Sequence, residues 1–415
     1  EKIEERLRSR FRRLHPSDCQ LFLFDLTNFH LEGQALGNTM ARRGKSKQKR
    51  SDCQLLSLAL AVDSRGFPLF SRMYPGNVSE PGTLEDILTE AGLIGDQPRL
   101  NLGTPVVVMD RGIATADNIG LLAANGISYT LIERGPRNRQ YLEQFRNAEN
   151  DPEFTRIKRD GQPDVLVKKV EGEREGTAEV LCVSHGKRLK EKAMAGQWEE
   201  RACEDLLQLQ QSIRKGNIKS KDKIIRKLGR LDERFAGFAK RFAVELVPEE
   251  GKDGRVADLK FERKPFFDLP DEEENPLLGT YVIESALKDL GAEEIWRLYM
   301  TLTRVEAAFH ALKTDLGTRP VHHQLEERTS GHLFISVLAY SLLASIEHRL
   351  KEAGDHRCWR TIRARMMTHQ RTTVIFTDET NTVHHIRQTG MPEPVHSEVY
   401  RKLGVAYRVD RRKET

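Results

Sequence analysis

Runs of apolar residues, broken by charged and glycine-containing segments, give this chain its first outline. Gln20 to Thr27 reads as a strand, apolar through Leu21-Phe22-Leu23-Phe24 and ending near Asp25. A second strand, Gln54 to Val62, turns through Asp63-Ser64-Arg65-Gly66 into a third, Phe67 to Tyr74, which is hairpin spacing. Pro75-Gly76-Asn77 breaks the strand, and a helix opens at Ser79 or Glu80 and runs to about Gly92. Val106 to Asp110, Ala114 to Asn125 and Ser128 to Glu133 then read as strand, helix and strand. An antiparallel hairpin followed by alternating elements predicts an α/β mixed sheet flanked by helices.

From about residue 151 the texture changes. Phe154 to Ser184 alternates charged and β-branched residues, as exposed antiparallel strands do, and 187–245 reads as one or two long charged helices. A Pro/Asp/Glu-rich loop from Pro265 to Pro276 follows, and the α/β pattern resumes at Tyr281-Val282-Ile283. Five segments result: an N-terminal helix over 1–19, a core over 20–139, an insertion over 140–275, the rest of the core over 276–355, and a C-terminal hairpin and tail over 356–415. The insertion is expected to be part β and part helical.

Two of the buried strands end on an acid, Asp25 and Asp110. A desolvated carboxylate is costly unless something cationic repays it. In open α/β sheets chemistry collects beyond strand ends, where the two could meet if their strands are neighbours. A third acid, Glu306, lies in the amphipathic stretch Tyr299 to Leu316. On one continuous helix, Leu298, Leu302, Val305, Phe309, Leu312 and Leu316 form a single core-facing stripe, and Glu306 projects about 80° from its centre. Tyr299 and Lys313, each seven residues away, would then stand above and below it. Two aspartates and a glutamate are oxygen ligands suited to Mg²⁺ or Mn²⁺, here expected as a pair of ions for phosphoryl displacement. Each acid alone is more often a turn, cap or surface charge.

Charge adds a partner. The net charge is +5 at pH 7, yet 41–50 holds six Lys/Arg and no acid, and 211–230 holds eight against Asp222 alone. Arg42, Arg43, Lys45, Lys47, Lys49 and Arg50 of the first cluster, Arg214 and Lys215 of the second, and Arg111 are the candidates for contacting nucleic acid. Five scattered cysteines without a CxxC pair fit reduced thiols and no zinc site. No stretch reads as a membrane span and no leader is visible, so a cytoplasmic, nucleoid-associated protein is expected.

The three acids sit in wording that resembles the DDE transposases of bacterial insertion sequences with a ribonuclease H-like catalytic core. Phe24-Asp25-Leu26-Thr27-Asn28 resembles the first-aspartate motif and Val108-Met109-Asp110-Arg111-Gly112 the second. Tyr299, Glu306 and Lys313 match the third motif, a Tyr-Arg-Glu-Lys series, but Leu302 occupies the arginine position. Arg304, nearby, would point about 160° away from Glu306 on a regular helix. The segment after the glutamate, Leu316 to His322 and Gly331 to Leu342, is also similar.

The resemblance implies Asp25, Asp110 and Glu306 as catalytic metal ligands, with Lys313, Tyr299 and Arg304 in supporting or phosphate-contacting places. It implies DNA ends and target as substrates, a homodimeric synaptic complex, an inserted domain over the DNA end, and an N-terminal DNA-recognition region. Trp198 and Trp296 could stack on an unpaired base, although Trp296 fits core packing better.

Two other readings stay open. One is a transposase-derived DNA-binding protein without catalysis. The other is a phosphatase with an aspartyl nucleophile, disfavoured because Thr27 stands where that chemistry needs an acid.

Overall fold

The computed structural model describes residues 6, 21–45, 52–95, 105–133, 135–159, 161–264, 275–407 and, as backbone, 411–414. These fall into two compact units, one drawing on Glu1–Ile132, Ser285–Leu287 and Arg297–Thr415, the other on Glu133–Glu284 and Lys288–Trp296. The predicted N-terminal helix lies outside the described residues apart from Arg6.

In the first unit, β1 (Leu21–Leu31), β2 (Gln54–Val62), β3 (Pro68–Pro75), β4 (Val106–Met109) and β5 (Ser128–Ile132) stand in the order β3-β2-β1-β4-β5. β2 runs antiparallel to β1 and β3, whereas β1, β4 and β5 are parallel. This is the mixed sheet of an α/β fold expected from the sequence, and its order is consistent with a ribonuclease H-like core. The hairpin turn between β2 and β3 is held by Asp63, whose carboxylate accepts from the Arg65 and Phe67 N–H groups, each at 2.9 Å. Two helices, α1 (Leu84–Glu90) and α2 (Ala116–Ala124), complete this part of the chain. Thr115 caps α2 by accepting from the Asn118 N–H at 3.3 Å.

Side chains alternate across a strand, and both faces of β1 and β4 are covered. Leu23, Phe29, Leu31 and Val108 enter one apolar cluster, and Phe22, Phe24, Leu26, Val107 and Met109 enter the other. β1 extends past the predicted end at Thr27, because β2 keeps pairing with it as far as Leu31↔Gln54. Asp25 is therefore an interior residue of β1 and not its last.

The second unit begins with α3 (Gly135–Gln140) and α4 (Leu142–Asn147). Next come β6 (Thr155–Arg159), β7 (Gln162–Glu171) and β8 (Ala178–Ser184). The helices α5 (His185–Arg214), α6 (Lys221–Arg234) and α7 (Phe238–Arg241) lead into β9 (Phe242–Pro248), β10 (Val256–Arg263) and β11 (Thr280–Ser285). Within the unit the strands order as β11-β8-β7-β6, with β9 and β10 as a separate antiparallel ribbon. The sequence reading carried helix through residue 245, but β9 starts at Phe242. Gly237, at φ 86°, interrupts the helical run, and the apolar residues that follow pair with β10. Ala202, Leu206, Leu209 and Ile213 of α5 share a core with Ile224, Phe235, Phe238 and Leu259.

The chain then returns through α8 (Ala292–Met300), α9 (Thr303–His310), a π-helical turn (Ala311–Asp315) and α10 (Glu326–Glu352). The C-terminal part comprises α11 (Trp359–Met366), β12 (Arg371–Thr377), β13 (Val383–Thr389), α12 (Pro394–Leu403) and β14 (Arg411–Glu414). The hairpin predicted over 372–387 is the β12–β13 pair. By length and composition alone α10 is apolar enough to cross a membrane. Its Leu333, Val337, Tyr340, Leu343 and Ala344 nevertheless belong to the same cluster as Leu23 and Val108, as a core helix requires.

Candidate active site

Register brings the two aspartates together. The parallel ladder of β1 and β4 ends at the rung Phe24↔Met109, so Asp25 and Asp110 each stand one step past it on adjacent strands. Strands so paired lie about 4.8 Å apart. By alternation both acids share the face of Leu23 and Val108, the side on which α9 packs. Val305, Ala308 and Phe309 of α9 enter the same apolar cluster, while Glu306 between them is exposed. Thus all three acids belong to one side of the first unit's sheet.

Each aspartate accepts a hydrogen bond from the next residue's N–H, Leu26 to Asp25 and Arg111 to Asp110, both at 2.7 Å. Asp25 is half-buried, and Asp110 and Glu306 are exposed. The oxygen-only donor set suits a hard divalent cation. Among the described residues, however, no three His, Cys, Asp or Glu groups stand close enough to hold one ion. The fit is therefore one of chemistry and strand register, not of a closed ligand cage.

The helix carrying Glu306 departs from the sequence reading. The single helix expected from Tyr299 to Leu316 is broken twice. At Thr301 and Leu302 the backbone tightens, with Leu302 N–H donating to the Tyr299 carbonyl at 3.0 Å and Arg304 N–H to the Thr301 carbonyl at 2.8 Å. The Thr301 and Thr303 hydroxyls compete for the carbonyls of Leu298 (2.5 Å) and Met300 (2.7 Å). At the other end the π-helical turn is closed by the Leu316 N–H on the Ala311 carbonyl at 2.9 Å. Hence arithmetic at 100° per residue does not carry from Tyr299 to Glu306 or from Glu306 to Lys313. The apolar stripe survives both breaks: Leu302, Val305, Phe309 and Leu312 are buried, with Leu298 and Leu316 packed beside them.

Lys313 is the supporting residue that the structure brings toward the acids. Its ammonium donates to the Thr27 hydroxyl and lies 5.5 Å from the centre of the Phe29 ring. Thr27 follows Asp25 by two on β1 and so shares its face. Sequence reasoning used Thr27 only to disfavour a phosphatase; its parity with Asp25 was the available signal for this contact. Tyr299 packs at the edge of the same apolar cluster. Arg304 stands beside the β2–β3 turn: a Cβ built on Gly66 would lie 3.7 Å from the Arg304 Cβ.

Among the basic candidates, Arg42, Arg43, Lys45 and Arg111 are exposed, while Lys47, Lys49 and Arg50 lie outside the described residues. Arg214 is engaged by Asp258 through two contacts of 2.9 Å, and Lys215 beside it is exposed. Both tryptophans are packed, Trp296 in the core role that the sequence favoured for it. Trp296 is buried, with its Nε1–H donating to the Tyr281 hydroxyl at 2.9 Å. Trp198 lies against Phe235 and Phe242, with ring centres 5.9 and 6.1 Å away.

Sheet order and packing define an α/β chain, a large mixed sheet flanked by helices. A family profile described as "Transposase DDE domain" matches residues 16–342, and the chain belongs to that family. The family is one of DNA-cleaving nucleases and transferases, generally dependent on divalent metal. Among solved structures, one chain of a "piggyBac transposase synaptic complex with hairpin DNA" is similar at 8% identity and a TM-score of 0.35. That match covers 81% of this chain but 48% of the solved one, so this chain spans about half that protein's length. No curated protein matches the chain.

Proposed function

We propose that this protein catalyses divalent-metal-dependent cleavage and transfer of DNA strands, as a transposase acting on the ends of its own element. The observation that carries this is the register of β1 against β4. It sets Asp25 and Asp110 on neighbouring strands, on the sheet face that also packs the helix of Glu306. Asp25, Asp110 and Glu306 would hold Mg²⁺ or Mn²⁺, which supplies Lewis acidity at a phosphodiester and a deprotonated water or 3′-hydroxyl as nucleophile. The Leu26 and Arg111 N–H groups each fix one oxygen of an aspartate and so orient the carboxylates. Lys313, held over β1 by Thr27 and Phe29 on the face of Asp25, would offer its cation to a phosphate oxygen. Exposed Arg42, Arg43, Lys45 and Arg111 would contact the backbone of the same DNA, two copies of the chain would pair two DNA ends, and the second unit would lie in the chain as an insertion.

The test is nicking of a plasmid carrying the element's ends by the purified chain in Mg²⁺ or Mn²⁺. Wild-type protein nicks, whereas Asp25→Ala, Asp110→Ala and Glu306→Ala bind DNA but do not nick. Nicking that survives all three substitutions would overturn the assignment, and DNA binding without any wild-type nicking would favour the non-catalytic reading.

A further inference from the structure

The C-terminal sheet has two edges, and its order β12-β13-β14 leaves β12 at one and β14 at the other. β14 reads Arg-Arg-Lys-Glu, and such a run of charge keeps an edge from pairing with another chain. β12 reads Arg-Thr-Thr-Val-Ile-Phe-Thr, with a single charge and neither lysine nor proline, and its residues are all exposed. Its pairing with β13 runs from Arg371↔Thr389 to Thr377↔Val383 without a bulge. Val374, Ile375 and Phe376 are 53, 60 and 42% exposed, so apolar surface shows on both faces of the strand. One edge of this sheet is guarded and the other is not.

Hydrogen bonds at the two ends of β12 fix which of its backbone groups are open. The Gly390 N–H donates to the Gln370 carbonyl and the Asp378 N–H to the Thr382 carbonyl, each at 3.0 Å. Residues 370 and 378 therefore turn toward β13, and by the two-residue period so do Thr372, Val374 and Phe376. Arg371, Thr373, Ile375 and Thr377 turn their N–H and C=O groups outward, where no strand among the described residues takes them up. The hairpin turn beside them is fixed, because the Asp378 carboxylate accepts from the Thr380 N–H at 2.8 Å and the Thr382 N–H at 3.0 Å. An incoming strand thus meets a preformed ladder and has little to order on binding.

The strand's own sequence selects the occupant. Antiparallel pairing of β12 with its copy, about a two-fold axis at Val374, overlaps the whole strand and lets the outward positions exchange about eight hydrogen bonds. In that register Val374 meets itself, Phe376 meets the partner's Thr372, and Ile375 meets the partner's Thr373, which are favourable cross-strand pairs. No like charges meet. Arg371 lies on the same face as the partner's Glu379, on the diagonal, within reach of a long side chain, and both residues are exposed. Charge complementarity at both ends of an uncharged centre favours a second copy over an unrelated strand. We infer that β12 pairs with β12 of a second copy and joins two three-stranded sheets into one continuous sheet. The pairing needs neither DNA nor metal, so it stands apart from the function proposed above.

Sedimentation equilibrium of the full chain, without DNA and in EDTA, tests this. The expected result is a reversible monomer–dimer equilibrium with a Kd on the order of 10 µM, as suits a small interface. Ile375→Pro removes an outward N–H and no bond to β13, so the hairpin stays while association weakens by at least roughly tenfold. Arg371→Glu sets like charges beside each other and weakens association by about threefold, and adding Glu379→Arg to it restores the wild-type value. Should Ile375→Pro lower the melting temperature, this charge reversal and its rescue, both on exposed side chains, decide alone. Wild-type protein that stays monomeric at about 100 µM overturns the pairing. A dimer that neither Ile375→Pro nor Arg371→Glu weakens also overturns it, because its contact then lies elsewhere. Either failure leaves the transposase reading to be judged by nicking.

Discussion

The two units of this chain use carboxylates in opposite ways. In the second unit Glu179 and Glu284 are buried, and arginines saturate them. Arg137 donates to Glu179 through Nε at 3.0 Å and Nη2 at 2.5 Å, Tyr141 adds its hydroxyl at 2.9 Å, and Arg174 bridges Glu284 and Glu133. The Tyr141 phenol is pushed up to about 12, first by burial and then by its hydrogen bond to Glu179. In the first unit Asp110 and Glu306 are exposed, and among the described residues neither forms an ion pair. The Lys313 ammonium on the same face donates to the Thr27 hydroxyl. A carboxylate whose lone pairs are filled by guanidinium is structural, whereas one with open oxygens beside strand ends is available for a ligand.

The widest separation of the two kinds comes from activity. Asp110→Asn keeps the shape of the side chain but removes its charge, and strand nicking should fall by at least roughly 10³-fold, because several kcal/mol of charge stabilisation are lost. Thermal melting of the same variant should stay close to wild type, since the residue is exposed and makes no ion pair. A large drop in melting temperature with partial activity retained would place Asp110 with the structural acids.

The mirror experiment is Glu179→Ala. It removes the buried partner of Arg137 and Tyr141 and leaves Arg137 only the exposed Glu173, at 2.7 Å, as an ion-pair partner, and should cost about 3 kcal/mol. Any activity lost should track the unfolded fraction in a denaturant titration. A stable Glu179→Ala protein with abolished nicking would instead give the second unit's buried acid a functional role.

This contrast was only half legible in the sequence. The buried strands, the hairpin and the mixed sheet follow from apolar runs and turn residues, and these survive because many side chains vote for each. Asp25 and Asp110 were found from their position after such runs. Their neighbourhood was not visible, since β1 and β4 are joined by hydrogen bonds between residues that the chain separates widely. The supporting residues around Glu306 were the weakest part. Thr301, Thr303 and a π-helical turn reset the helix phase, so an angle counted from Tyr299 or toward Lys313 had no fixed meaning. Arg304 shows the same limit, because it lies beside Gly66 in the β2–β3 turn, a place no helical wheel reports.

Cations divide as the acids do, which gives a smaller effect to measure. Arg214 is held by Asp258, and Arg234 by Asp205 at 2.8 Å. Lys223, Arg226, Lys227 and Arg230 of α6 are exposed and, among the described residues, have no ion-pair partner. They fall within about 100° of one helix face, roughly 120° from the buried Ile224 side. Replacing these four by alanine should reduce the salt dependence of duplex binding by about 3–4 in the log–log slope, if each meets one phosphate. Arg214→Ala should change that slope little. The reverse result, a large effect at Arg214 and none at α6, would mean that ion pairing inside the unit does not decide which cations meet DNA.

The smallest effect tests whether pairing, rather than membership of a unit, makes an acid structural. Asp355 belongs to the first unit yet is buried, and it is bound by Arg357 (Nε at 2.7 Å) and by Lys402 of α12 at 3.1 Å. The Arg357 guanidinium, followed by Lys402, holds this carboxyl well below the usual carboxylate range, against the opposing effect of burial. Because the folded value is depressed, the stabilisation is complete above the unfolded value near 4 and drains away as pH falls below it. Asp355→Asn should therefore cost about 1–2 kcal/mol at neutral pH. The gap in stability from wild type should stay constant down to about pH 5 and narrow from about pH 4 toward pH 2. A gap that persists unchanged at the acid end would show that Asp355 acts through packing and neutral hydrogen bonds alone, and the division by charge pairing would not extend to it.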